Sequence, residues 1–242
     1  MTYTWLLFDA DGTLFDYDKA EDKALRATFA DLGLPFREEY GSLYREINAA
    51  VWKDLEAGRT TPERLRVDRF ARLFSAASVQ ADAETFSLRY LPNLSLGSDL
   101  MDGAWEVLHA LRPHFHLALI TNGLRDVQRP RLQRAGIADL FEQVAISEEM
   151  GVAKPDPAYF EALFARIGHP ARRHALVIGD GLTSDIQGAN RYGLDACWYN
   201  PKGLRRDPRF EARYEIRALR DLLPILLPGQ QGRGAIDWGG MT

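Results

Sequence analysis

At 242 residues the chain is long enough to bury one substantial core together with a smaller appended unit. Its 46% hydrophobic and 26% charged content is that of an ordinary globular protein, and 30 basic against 34 acidic residues give a formal net charge of -4. That balance argues against a dedicated binder of nucleic-acid polymers, and the single Cys197 excludes both an internal disulfide and a cysteine-based zinc site.

The first apolar run, residues 4–8, ends directly in Asp9. It is too short for a secretory core with a cleavage site, and no run of about 20 apolar residues follows, so no membrane span is expected and the cytoplasm is the expected location. Residues 16–96 then carry helical apolar stripes: Leu25, Phe29 and Leu32; Leu43, Ile47, Val51 and Leu55; Val67, Phe70, Ala71 and Phe74; Phe86, Tyr90 and Leu94. This spacing predicts a small helical bundle inserted after the first strand.

Beyond it, apolar runs at 116–120, 144–146, 175–178 and 196–199 read as parallel strands, since strands covered on both faces are apolar throughout. Helical patterns at 125–135, 157–167 and 184–192 alternate with them and stop at Gly136, Gly168 and Gly193. Such alternation predicts an α/β fold, a doubly wound Rossmannoid parallel sheet with the inserted helical unit. The expected division is a core of 1–15 and 97–228, a helical cap of 16–96, and a flexible glycine-rich tail of 229–242.

Four short segments carry chemistry. Asp9-Ala10-Asp11-Gly12 places two carboxylates where the first strand ends, at the crevice in which open parallel sheets bind ligands. Thr121-Asn122-Gly123 follows the second strand and offers a hydroxyl, an amide and an accessible backbone N–H for phosphate oxygens. Lys154 precedes Pro155, which keeps it out of a helix interior. Asp180 follows another strand directly, and Asp185 comes five residues later near a helix start.

In this order and on these strand ends, the four segments resemble the haloacid dehalogenase-like hydrolase superfamily, over roughly residues 4–200. The resemblance implies a helical cap inserted after the first motif, which is where 16–96 lies. It also implies Asp9 as nucleophile, Asp11 as general acid/base, Thr121 as phosphate-binding hydroxyl and Lys154 as charge-stabilising cation. Asp9, the backbone carbonyl of Asp11, and Asp180 become the expected ligands of Mg²⁺, a hard cation that prefers a few carboxylates plus phosphate oxygens. Asp185 is expected either at the metal or as the group that positions Lys154.

The implied reaction is hydrolysis of a phosphate monoester through an aspartyl-phosphate. Asp11 separates this from carbon–halogen cleavage, whose halide leaving group needs no acid; a phosphomutase keeps the same carboxylate pair. Residues 47–58 and Arg69-Phe70 resemble the cap of the pyrimidine nucleotidase branch, as do core stretches 146–155 and 193–201. From that likeness a nucleoside 5′-monophosphate is the expected small-molecule partner, with Asn48 reading a base edge, Trp52 stacking and Arg69 contacting phosphate or base. Sugar phosphates and similar metabolites form the alternative substrate class, and a scaffold without activity is disfavoured because Asp9, Asp11, Lys154 and Asp180 are all present.

Overall fold

A computed structural model describes residues 3–228. The tail expected at 229–242 lies outside the described residues. In chain order the main elements are β1 (Trp5–Asp9), α1 (Tyr17–Asp31), α2 (Glu38–Glu56), α3 (Pro62–Ala77), α4 (Ala83–Ser95), α5 (Ala104–Leu111), β2 (His116–Thr121) and α6 (Arg125–Arg134). There follow β3 (Gln143–Ile146), α7 (Ser147–Met150), α8 (Pro157–Arg166), β4 (Ala175–Gly179), α9 (Gln187–Tyr192), β5 (Asp195–Tyr199), β6 (Tyr214–Ile216) and α10 (Leu222–Leu226).

The strands form one six-stranded sheet in the order β3-β2-β1-β4-β5-β6, parallel at every pairing. Alternation along each strand explains the continuous apolar runs. Leu6, Phe8, Leu117, Leu119, Leu176 and Ile178 face α5 and α10, while Leu7, Ala118, Ile120 and Val177 face α8 and α9. Because β1 lies between β2 and β4, the carboxyl ends of these three strands converge, and the chain reverses its winding there.

Local sequence sets the helix limits. Asp16, Thr61, Asp82 and Asp156 cap α1, α3, α4 and α8 by accepting backbone N–H bonds, and Pro62 and Pro157 occupy first-turn positions that have no N–H to lose. The helix expected at 184–192 begins instead as a π-helical turn over Leu182–Ile186 and turns α-helical only at Gln187. Strand β6 and helices α5 and α10 were not anticipated. Three residues of β6 are too few to show a period, and α5 and α10 are short helices whose burial depends on the sheet beneath them.

Helices α1–α4 gather around their own aromatic core, with Phe29, Tyr44, Phe70, Phe74, Phe86 and Tyr90 buried. Tyr44 stacks on Phe70 at 5.4 Å, and Phe86 meets Phe29 edge-on at 5.0 Å. Leu124, just before α6, and Val127 within it complete that core, whereas Leu132 of the same helix packs beneath the sheet. Two crossovers join the helical unit to the sheet. They are tied by Asp16 N–H to Asp99 O (3.0 Å) and Met101 N–H to Leu14 O (2.8 Å).

Candidate active site

Asp9 ends β1 with its side chain almost wholly buried, and Thr121 ends β2. The loop after β3 and α7 brings Lys154 beneath both. Its ammonium is fully buried and donates three hydrogen bonds: to Asp9 Oδ1 (2.7 Å), Asp185 Oδ1 (2.6 Å) and Ile120 O (3.2 Å). Burial works against this charge, yet the carboxylates of Asp185 and Asp9 outweigh it and hold the ammonium well above the ordinary lysine range. Burial, then the charge of Asp185, pushes the Asp9 carboxyl well above the usual range, with Lys154 pulling the other way.

Asp180 sits at the mouth, accepting from Thr13 Oγ1 at 3.2 Å while its own N–H donates to the same hydroxyl at 3.0 Å. Enclosure by the surrounding protein, then the charge of Asp185, pushes its carboxyl up to about 7, although the edge facing the cavity stays open. Asp185 Oδ2 accepts from Gly181 N–H at 3.0 Å, so this carboxylate is fixed on both sides. Ligand atoms of Asp9, Asp180 and Asp185 lie within 4.8 Å of one another. Three hard carboxylates against one ammonium leave an excess of negative charge, and that donor set fits Mg²⁺.

Thr121 Oγ1 accepts from Gly123 N–H at 2.9 Å, leaving its own O–H to donate. The Asn122 side chain does not face outward as a phosphate donor would. Its Oδ1 accepts from Lys154 N–H and its Nδ2 donates to Lys154 O, both at 2.8 Å, so it clamps the lysine backbone. Tyr159 supports this loop from below, accepting from Thr121 N–H (3.1 Å) and donating to Ala145 O (2.7 Å).

A cavity of about 240 Å³ opens above these groups, and Trp52, Glu56 and Tyr17 roof it. A second, of about 250 Å³, adjoins it and shares Asp11, Tyr17 and Asp180. Trp52 therefore lies where stacking on a bound group is feasible. Asn48 and Arg69 do not. Asn48 is buried on the inner face of α2, its Nδ2 donating to Glu21 Oε1 (2.8 Å) and Tyr17 Oη (3.1 Å). Arg69 is buried over the rings of Phe70 and Tyr90 and donates to Asn48 Oδ1 at 3.4 Å. The physical reason is the carboxylate of Glu21 on α1, which draws these polar groups into the helical core. They reach the cavity only through Tyr17.

Sequence reasoning missed Tyr17, Glu56, Gln128 and Arg131. Glu56 accepts from Thr183 Oγ1 at 3.1 Å, a contact from the helical unit to the loop between Asp180 and Asp185. Gln128 and Arg131 both donate to the Asp11 carboxylate. The only signal was their three-residue spacing, which puts them on one face of α6; their partner lies more than a hundred residues upstream.

A family model for haloacid dehalogenase-like hydrolases matches residues 3–193. The chain is 37% identical to the pyrimidine 5′-nucleotidase PynA of Streptococcus pneumoniae, over 93% of this chain and 96% of that one. It is 30% identical to the pyrimidine 5′-nucleotidase YjjG of Escherichia coli, covering 93% and 99%. The crystal structure of the HAD-hydrolase YfnB of Bacillus subtilis bound to magnesium matches at a TM-score of 0.89 and 36% identity, covering 94% of this chain and all of that one.

Proposed function

Because the chain belongs to the haloacid dehalogenase-like hydrolase family, we propose that it hydrolyses phosphate monoesters, with pyrimidine nucleoside 5′-monophosphates as its preferred substrates. The observation that carries this reading is the fully buried Lys154 ammonium bonded at once to Asp9 and Asp185, at the converging ends of β1, β2 and β4. A cation held there meets the charge of a transferring phosphoryl group while keeping one oxygen of Asp9, which lines the cavity, fixed.

Asp9 attacks phosphorus in line, a new O–P bond forms, and the ester O–P bond breaks with its electron pair passing to the leaving oxygen. Asp11 gives its carboxyl proton to that oxygen, then takes a proton from the water that cleaves the aspartyl-phosphate. General acid–base help of this kind is worth about 10²- to 10⁴-fold. The Thr121 hydroxyl holds a phosphoryl oxygen, the Lys154 charge stabilises the phosphoryl group while its donors hold Asp9 and Asp185, and Asn122 acts one step removed by fixing the Lys154 backbone. Asp9, Asp180 and the Asp11 backbone carbonyl would hold Mg²⁺, with Asp185 chiefly fixing Lys154. When bound, the ion screens the repulsion between a dianionic ester and the carboxylates and offsets the cost of ionising Asp9.

Residues 16–96 act as the cap in this reading, and 1–15 with 97–228 as the catalytic core. Trp52 and Tyr17 offer the aromatic surfaces for the leaving nucleoside. Among the described residues no helix is long and apolar enough to cross a membrane, and a cytoplasmic setting goes with a nucleotide substrate.

Phosphate release from nucleoside monophosphates and sugar phosphates, with Mg²⁺ and with EDTA, tests the proposal. We expect metal-dependent release, fastest from pyrimidine 5′-monophosphates and lost in Asp9→Asn with the fold intact. Turnover confined to sugar phosphates would discard the nucleotide assignment, and near-normal turnover by Asp9→Asn would discard the nucleophile.

A further inference from the structure

Asp11 differs from the other carboxylates of the site in what holds it. Both its oxygens are met from one face of α6, Oδ1 by Arg131 Nη1 and Oδ2 by Gln128 Nε2. Asp11 is partly open to the cavity, whereas Arg131 and Gln128 are fully buried. A carboxylate has about four acceptor positions, so two remain for a proton and a reacting oxygen.

The two donors are themselves firmly placed. Arg131 Nε donates to Gly97 O at 2.6 Å, and its guanidinium lies 4.4 Å from the Phe15 ring centre. Phe15 and Gly97 stand on the two crossovers between the sheet and the helical unit, so one buried side chain touches both crossovers and Asp11. Gln128 packs directly onto Gly123 of the phosphate loop, where a methyl group would sit 2.2 Å from Nε2. Only a residue without Cβ lets the amide pass between that loop and Asp11. The helix carrying both donors is anchored in two cores at once, through Leu124 and Val127 above and Leu132 below.

We infer that Gln128 and Arg131 are positioning residues for proton transfer by Asp11, fixing its carboxylate toward the leaving oxygen. The inference rests on Asp11 serving as general acid in the reading above. As the Asp9–phosphorus bond forms and the ester bond breaks, the Asp11 proton passes to the leaving oxygen and Asp11 becomes anionic. Held on both oxygens from one face of α6, the carboxylate is already aimed and needs no reorganisation to reach that oxygen.

The readout is the dependence of kcat/KM on the leaving group, because kcat/KM reports the steps through phosphoryl transfer. An alkyl ester such as a nucleoside 5′-monophosphate needs the proton, and p-nitrophenyl phosphate departs well without one. Gln128→Met keeps the volume while removing the donor, and Arg131→Lys keeps the charge while removing the fork; melting curves check that both fold. Each variant is expected to lower the alkyl-to-aryl ratio of kcat/KM about 10-fold or more, and Asp11→Asn about 10²-fold or more. Equal losses on both esters in the two α6 variants, or no losses, with the ratio still collapsing in Asp11→Asn, would overturn the inference and leave the general acid standing. An unchanged ratio in Asp11→Asn would remove the general acid and the inference together.

Discussion

Replacing Lys154 by Met gives the sharpest test of how the site is held. The substitution removes the only cation bonded to Asp9 and Asp185 among the described residues, and it leaves two buried carboxylates facing each other without compensation. Breaking a buried pair by deleting one partner costs about 3–5 kcal/mol. A ceiling comes from the carboxylates themselves, since one with an ordinary pKa of about 3.9 takes up a proton at about pH 7 for about 4 kcal/mol. At about 2–4 °C per kcal/mol for a chain of this size, melting in EDTA should fall by about 6–16 °C. Excess Mg²⁺ should recover more of that loss in the variant than it adds to the wild type, because a divalent ion restores positive charge among the same carboxylates. Turnover should drop about 10²- to 10³-fold, as when one preorganised charge stabiliser is lost. A melting shift under about 2 °C in EDTA, well inside the range that surface changes produce, would show that the ammonium is not enclosed as described.

Two further outcomes follow from the helical unit. Trp52→Ala should reduce turnover of nucleoside monophosphates about 10-fold more than that of p-nitrophenyl phosphate, since stacking on a base is worth about 1–3 kcal/mol; equal reductions would leave Trp52 a packing residue only. Burial raises the Glu21 carboxyl from 4.5 to about 7, with Asn48 and Arg45 pulling it back. The folded state therefore holds a proton that the unfolded state has released, and stability contributed below about pH 4.5 is lost as pH rises through about 7. Glu21→Gln keeps the bond from Asn48 and removes the titration, so it should raise stability at about pH 8 by up to about 3 kcal/mol, seen as a higher melting temperature, and leave it nearly unchanged at about pH 5. A gain that is the same at both pH values would mean that Glu21 is not the group responsible.

Much of this site was written in short stretches of sequence. Asp9, Thr121 and Asp180 stand at or directly after the ends of apolar runs, and strand ends in a parallel sheet point one way, so their convergence followed from the pattern alone. Lys154 was legible through the resemblance of its neighbourhood, and the four helices of 16–96 through their stripes of Phe, Tyr and Leu. Asn122 was placed in the correct loop, but the task of its amide was not visible. Whether an amide faces outward to a ligand or inward to the backbone of Lys154 depends on a chain segment thirty-two residues away.

The sequence by itself determined the parallel sheet, the inserted helical unit and the set of carboxylates, because each is a local pattern of period, punctuation or strand end. Only the tertiary structure decided that Asn48 and Arg69 turn inward to Glu21, that Tyr17 and Glu56 face the cavity, and that Gln128 and Arg131 grip Asp11. A helical period fixes which residues share a face, but the direction of that face is set by the summed packing of several helices against one another. A polar side chain at a stripe's edge goes to whichever partner that packing brings near, and residues far apart in the chain supply the partner.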